Sequence, residues 1–199
     1  MNRLAWAIGA LIVGIMLTAS AEATMVVPFS VEDMTKRANK IFVGTCIRVE
    51  HTVNAQGIPV LDVTFAVTEA LKGKVGKTLT FQQLDPTLQR PSDPTPQPPA
   101  NLRVRSIWSV ASLAGVPTYA PGEEVMMFLA SPGKLGLTAP VGLFQGKLPV
   151  TATSSGKKLI TNLALKKTEL TNVSVPEPGK TASYDQFVTA IRAVVQSVP

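Results

Sequence analysis

Hydrophobic and polar residues follow several distinct patterns along the chain, and each predicts a different element. The apolar run Leu4–Leu17 follows Asn2-Arg3 and passes into the small-residue string Ala19-Ser20-Ala21-Glu22-Ala23. Positive, apolar and small residues in that order form a cleavable secretory signal, with Ala21-Glu22-Ala23 fitting the A-x-A cleavage site. The run is shorter than the ~20 residues a membrane span needs. We therefore expect residues 1–23 to be a signal peptide and residues 24–199 to be one exported, β-rich domain, with no membrane span after cleavage. No Cys follows the run to take a lipid, and Arg3 alone does not make a twin-arginine signal.

Beyond the signal the dominant period is two. Ile41, Val43, Ile47 and Val49 share one face of a predicted strand, and after a turn at Asn54–Gly57 the residues Leu61, Val63, Phe65 and Val67 share one face of the next. The two strands should form a hairpin. Gly73 and Gly76 supply the following turn, and Leu79 with Phe81 begins a third strand. Alternation returns at Leu102–Arg105. The five apolar residues Val125–Leu129 indicate a central strand covered on both faces. Shorter strands are expected at Leu135–Ala139, Gly146–Thr151 and Lys158–Leu163, and irregular chain at Thr168–Gly179.

Helical spacing occurs only near the two ends of this region. Ser30 stands as an N-cap, with Asp33 reaching back and Phe29 placed to staple onto Met34, so a short helix should run to about Ala38. Ser183-Tyr184-Asp185-Gln186 opens a second helix, in which Tyr184, Phe187, Val188, Ile191, Val194 and Val195 form the apolar stripe. We expect that stripe to dock on the strands. The fold class is then mainly β: a small antiparallel Greek-key (OB-like) barrel or sandwich flanked by a short N-terminal helix and a C-terminal amphipathic helix. A proline-rich segment at 85–99 reads as an exposed loop between strands.

Composition narrows the chemistry more than it suggests any. The chain has one Cys, Cys46, so no internal disulfide can form in an oxidising compartment, and its apolar surroundings make it a small core residue. The formal charge is +6, but the lysines are scattered and not interleaved with aromatics, so no nucleic-acid platform is expected. His51 is the only histidine and reads as a surface residue. No triad motif accompanies it, and one His with one Cys supplies no His- or Cys-rich metal set. Glu123 and Glu124 are adjacent on a strand and point to opposite faces, so they do not make a catalytic pair. Phosphate-loop and dinucleotide patterns are absent. We expect no enzyme activity, no cofactor and no metal.

Several segments carry a resemblance: Met25-Val26-Val27-Pro28-Phe29-Ser30-Val31-Glu32-Asp33, Val43-Gly44-Thr45, Asp62–Phe65 leading to Leu71-Lys72-Gly73, Gly115-Val116-Pro117 with Gly122-Glu123-Glu124, and Gly142–Lys147. Together they resemble a family of exported bacterial proteins to which no activity is attached. The order of short helix, strand with Gly-Thr, strand ending in Lys-Gly and Gly-Glu entry to an apolar strand is also similar to netrin-like modules and tissue inhibitors of metalloproteinases. That similarity implies an oligonucleotide-binding-type barrel. Those inhibitors reach the catalytic metal through an N-terminal Cys, and a chain beginning near Thr24 has none.

The functional expectation is an exported, non-enzymatic domain that binds another exported protein or an envelope surface; the alternative is an inhibitor or accessory subunit of an exported protease. Candidate binding residues are Arg103, Arg105, Trp108 and Tyr119, with the two aromatics also readable as core.

Overall fold

The computed structural model describes residues 29–86, 115–154, 158–160, 169–170, 173–174 and 181–197. The signal-like segment, Arg103, Arg105, Trp108, the predicted strand at Leu102–Arg105 and all but the first two residues of the proline-rich loop lie outside them. The first helix, α1 (Val31–Arg37), starts as its sequence dictates. Ser30 is its N-cap: its Oγ accepts from the Asp33 amide at 3.0 Å and donates to Asp33 Oδ2 at 2.7 Å. Lys72 closes the other end, its Nζ donating to the carbonyls of Thr35 at 2.7 Å and Lys36 at 3.1 Å. That places a cation at the negative end of the helix dipole.

Five antiparallel strands follow: β1 (Lys40–Val53), β2 (Pro59–Lys72), β3 (Thr78–Leu84), β4 (Glu124–Leu129) and β5 (Lys147–Ala152). They are ordered β3-β2-β1-β4-β5, and the short β6 (Lys158–Ile160) and β9 (Ala182–Ser183) extend the β5 side. Between them in sequence, β7 (Glu169–Leu170) and β8 (Val173–Ser174) pair only with each other, inside the stretch expected to be irregular. The second helix, α2 (Tyr184–Ser197), begins where its capping pattern predicts. A single bridge at Leu137 is the only described pairing in the strand expected at Leu135–Ala139 that touches β3.

The sheet is open, which corrects the expected OB-like barrel. A barrel needs its two edge strands to pair over several residues with a consistent stagger. Here one edge is the seven-residue β3 and the other is the two-residue β9, too short to close against it. Among the described residues β3's outer edge takes one parallel bridge, Gln82 to Leu137.

Strand parity gives the sheet two buried faces. Ile41, Val43, Met126 and Phe128 point to the helix side, where Val31, Met34, Phe187 and Ile191 meet them. Phe42, Cys46, Phe65, Val125 and Met127 point to the opposite side. The pairs Ile41 with Phe128 and Phe42 with Met127 are register partners on β1 and β4, so the burial expected of Val125–Leu129 on both faces holds.

Three register shifts in the β1–β2 ladder change the expected faces. The partners move from Cys46–Phe65 to Arg48–Thr64, leaving Ile47 as an extra residue that is 51% exposed. The face predicted for Ile41, Val43, Ile47 and Val49 is therefore broken: Ile47 faces solvent and Val49 packs against the Cys46 side. On β2, Thr68 is extra between Val67–Gly44 and Glu69–Val43, and its Oγ1 donates to the Val43 carbonyl at 3.1 Å. A third shift follows between Ala70–Phe42 and Lys72–Ile41, where Leu71 is the extra residue and joins the helix-side core.

Gly44 sits at this crossing because a Cβ there would stand 2.6 Å from the Ala66 carbonyl oxygen. The neighbour is backbone and cannot swing aside. Gly44→Ala should destabilise the fold by about 1–3 kcal/mol, and Phe128→Ala by about 3–5 kcal/mol. Urea unfolding followed by circular dichroism measures both; a Gly44→Ala midpoint equal to wild type would contradict the close approach.

Candidate functional site

Three places on the described surface gather polar chemistry. The first surrounds Tyr119, the one candidate binding residue that is described. Its ring packs edge-on against Phe65 and Phe81, each with centroids 5.8 Å away, so it belongs to the rim of the core. Its hydroxyl donates to Gln83 Oε1 at 3.1 Å, and buried Gln83 returns Nε2 to the Pro117 carbonyl at 2.7 Å. Lys147 Nζ lies 4.8 Å from the ring centroid, bonds the Thr118 carbonyl and pairs with Glu123 at 2.7 Å. Glu124, on the other side of the strand, pairs instead with Lys158 at 2.6 Å. The two acids serve separate lysines, as their strand parity requires.

Separated segments meet beside this network. The Phe29 amide donates to Gln145 Oε1 at 2.8 Å, and the Phe144 amide donates to the Gly115 carbonyl at 3.0 Å. Gly142 has φ +68°, and a Cβ there would stand 2.8 Å from the Phe29 ring. The network is internally satisfied and holds the 115–123 segment against the sheet. Tyr119 is a fastening residue in this arrangement. Cys46 lies beneath, fully buried, its thiol pKa pushed up chiefly by burial.

The second place is a pair that sequence spacing did not reveal. His51 Nδ1 lies 2.7 Å from Asp85 Oδ2; the Asp85 side chain is 1% exposed and that of His51 56%. His51 is a surface residue, as expected, but one oriented by a buried carboxylate 34 positions away. Such a pair fixes the ring and leaves its other nitrogen outward. Among the described residues no hydroxyl or thiol is bonded to that nitrogen. No group of three or more His, Cys, Asp or Glu side chains able to hold a metal occurs among the described residues.

The third place is concave. A groove of about 310 Å³ runs beside β3, lined by Leu79, Thr80, Phe81 and Gln82, by Asp62 of β2, and by the 130–138 loop. Apolar walls with a few polar groups are the usual make-up of a binding groove. Asp62 Oδ1 is buried here and has no hydrogen-bond partner among the described residues. The Lys77 carbonyl points inward to the Val67 amide, whereas the Gln82 carbonyl points outward to the Thr138 amide. Successive strand residues alternate, so the N–H and C=O of Thr78 and Thr80 point outward, and nothing among the described residues pairs with them. The alternation around Leu79 and Phe81 marks the strand in the sequence. Its position at an edge depends on sheet order, which no local signal encodes.

Compared with protein-family models, with curated proteins and with solved structures, the chain finds no match. Among the described residues no helix is long and apolar enough to cross a membrane.

The chain's two tyrosines give a direct check on this surface. Burial first, then the charge of Glu123, raises the Tyr119 pKa above its ordinary 10.0. Burial first, then its hydrogen bond to Glu69, does the same for Tyr184. The folded state holds both protons more tightly than the unfolded chain, so this stabilisation is complete below about pH 10 and is lost as pH rises above it. A spectrophotometric titration should show little tyrosinate at pH ~10 in the folded protein, followed by a sharp rise on unfolding. Half-ionisation of either tyrosine near that pH without unfolding would contradict the described packing. Cys46 should likewise resist a thiol reagent until urea unfolds the chain.

Proposed function

We propose that this protein is an exported, non-enzymatic binding domain that receives an extended segment of another exported protein along the outer edge of β3. Export is supported by the order of basic, apolar and small residues over the first 23 positions. The observation that carries the binding reading is the Thr78–Thr80 edge beside the groove, with which nothing among the described residues pairs. An exposed strand edge presents donors and acceptors in the spacing of a further strand, and native proteins cover or blunt such edges unless they use them.

The remaining polar groups support the same division of labour. Glu123 and Glu124 are held by Lys147 and Lys158, Glu69 is held by Arg192 and Tyr184, and the Cys46 thiol is buried. These are groups committed to the fold, whereas among the described residues the Thr78–Thr80 part of the β3 edge and Asp62 Oδ1 have no partner.

Thr80→Pro separates this edge from the fold. The Thr80 N–H points away from β2, so proline removes an outward donor and leaves the β2–β3 ladder bonds in place. With residues 24–199 as bait in the exported fraction of the source cell, cross-linked capture read by mass spectrometry should return one dominant partner. Thr80→Pro should bind that partner about tenfold more weakly, a loss of ~1.4 kcal/mol, while its stability falls by no more than the roughly 0.2–1 kcal/mol of the lost Thr64–Thr80 hydroxyl pair. Equal binding by wild type and a correctly folded Thr80→Pro would remove β3 as the site.

A further inference from the structure

We infer that the groove beside β3 selects a cationic side chain, lysine or arginine, on the incoming extended segment, and that Asp62 is the residue that selects it. This inference rests on strand addition at β3 and names the chemistry of the segment added. Asp62 lies on β2 opposite Gln82 of β3, two positions from Thr64, which faces Thr80. Thr64 and Thr80 satisfy each other through their hydroxyls at 2.9 Å. Asp62 lies on the same face and lines the groove with Thr80, and among the described residues its buried Oδ1 has no hydrogen-bond partner.

A buried carboxylate oxygen without a donor costs free energy that a ligand's donor would recover, and a charged donor recovers most. The groove wall also carries apolar surface, with Pro132 exposed in the 130–138 loop, that suits the methylene stem of such a side chain. Lys40 also lines the groove, so the site is not uniformly acidic. The selection is made by one carboxylate at one register position, which predicts a positional preference on the peptide, with no general affinity for basic proteins.

The test is a positional-scanning set of acetylated, strand-forming heptapeptides built on alternating Thr and Val. Each position carries in turn Lys, Arg, Gln, Leu or Glu. Binding to the ¹⁵N-labelled protein is followed by the amide shifts of Thr78 and Thr80. We expect Lys and Arg to bind at least tenfold more tightly than Glu at one position only, with the preference weakening as salt is raised. Asp62→Asn, close to isosteric, should abolish the preference and leave the Thr78 and Thr80 shifts. Should peptides move those amides with no charge preference, or with one that Asp62→Asn retains, the cation selection is overturned and strand addition stands. Should no peptide move them, strand addition itself is overturned, and this inference falls with it. Loss of salt dependence in the wild type with the Lys peptides would also overturn the selection, independently of how well the variant folds.

Discussion

The structure depends on the first half of β1 being buried on both faces at once. Its alternation sends Ile41 and Val43 toward the helices and Phe42 and Cys46 the other way, and β4 repeats that division with Met126 and Phe128 against Val125 and Met127. Each face needs a cover, so neither helix nor the 115–123 segment is optional. A side chain buried in either cluster contributes roughly 1.5–3 kcal/mol, far more than any single surface ion pair at roughly 0–1 kcal/mol. The paired strands at the centre therefore set where everything else must lie.

The bulges are what turn a regular ladder into this particular surface. The extra residue Thr68 shifts the end of β2, so that Glu69 meets Arg192 and Tyr184 of α2, and Leu71, extra in turn between Ala70 and Lys72, joins the helix-side core. Without the shift, Glu69 would lie on the face of Phe65 and Val67. The extra Ile47 does the reverse on β1 and puts a large apolar side chain into solvent. One inserted residue changes the direction of every side chain after it.

The segments around Phe29, Gly115 and Gly142–Lys147 are far apart in the chain and meet in one hydrogen-bonded fastening. Gln145, buried, bonds the Phe29 amide, and Lys147 bridges Thr118 and Glu123. Small residues at Gly142 and Gly146 let backbone and ring approach within distances that a Cβ would forbid. Their chemistry is thus spent on holding the 115–123 segment in place. The groove beside β3 and the His51–Asp85 pair lie outside this fastening, and they are where polar groups face outward.

What could be read directly from the residues is what depends on near neighbours in the chain. The Ser30 cap, the α2 stripe, the β1–β2 hairpin, the doubly covered Val125–Leu129 strand and the buried Cys46 all follow from spacings of two, three or four residues. Tertiary structure decided the rest. The barrel expected from the order of elements became an open sheet, since closure depends on the lengths of strands that pair last, and β6 and β9 are too short. The faces expected for Ile47 and for the end of β2 changed, since a bulge forms where two strands fail to match, and neither strand alone records the mismatch. His51 met Asp85, Lys72 met the end of α1, and Asp62 came to line a groove beside an edge that nothing among the described residues pairs, because those outcomes belong to residues brought together from distant positions. Local periodicity determines which elements form; only the three-dimensional pairing of those elements decides which of their polar groups remain available to another molecule.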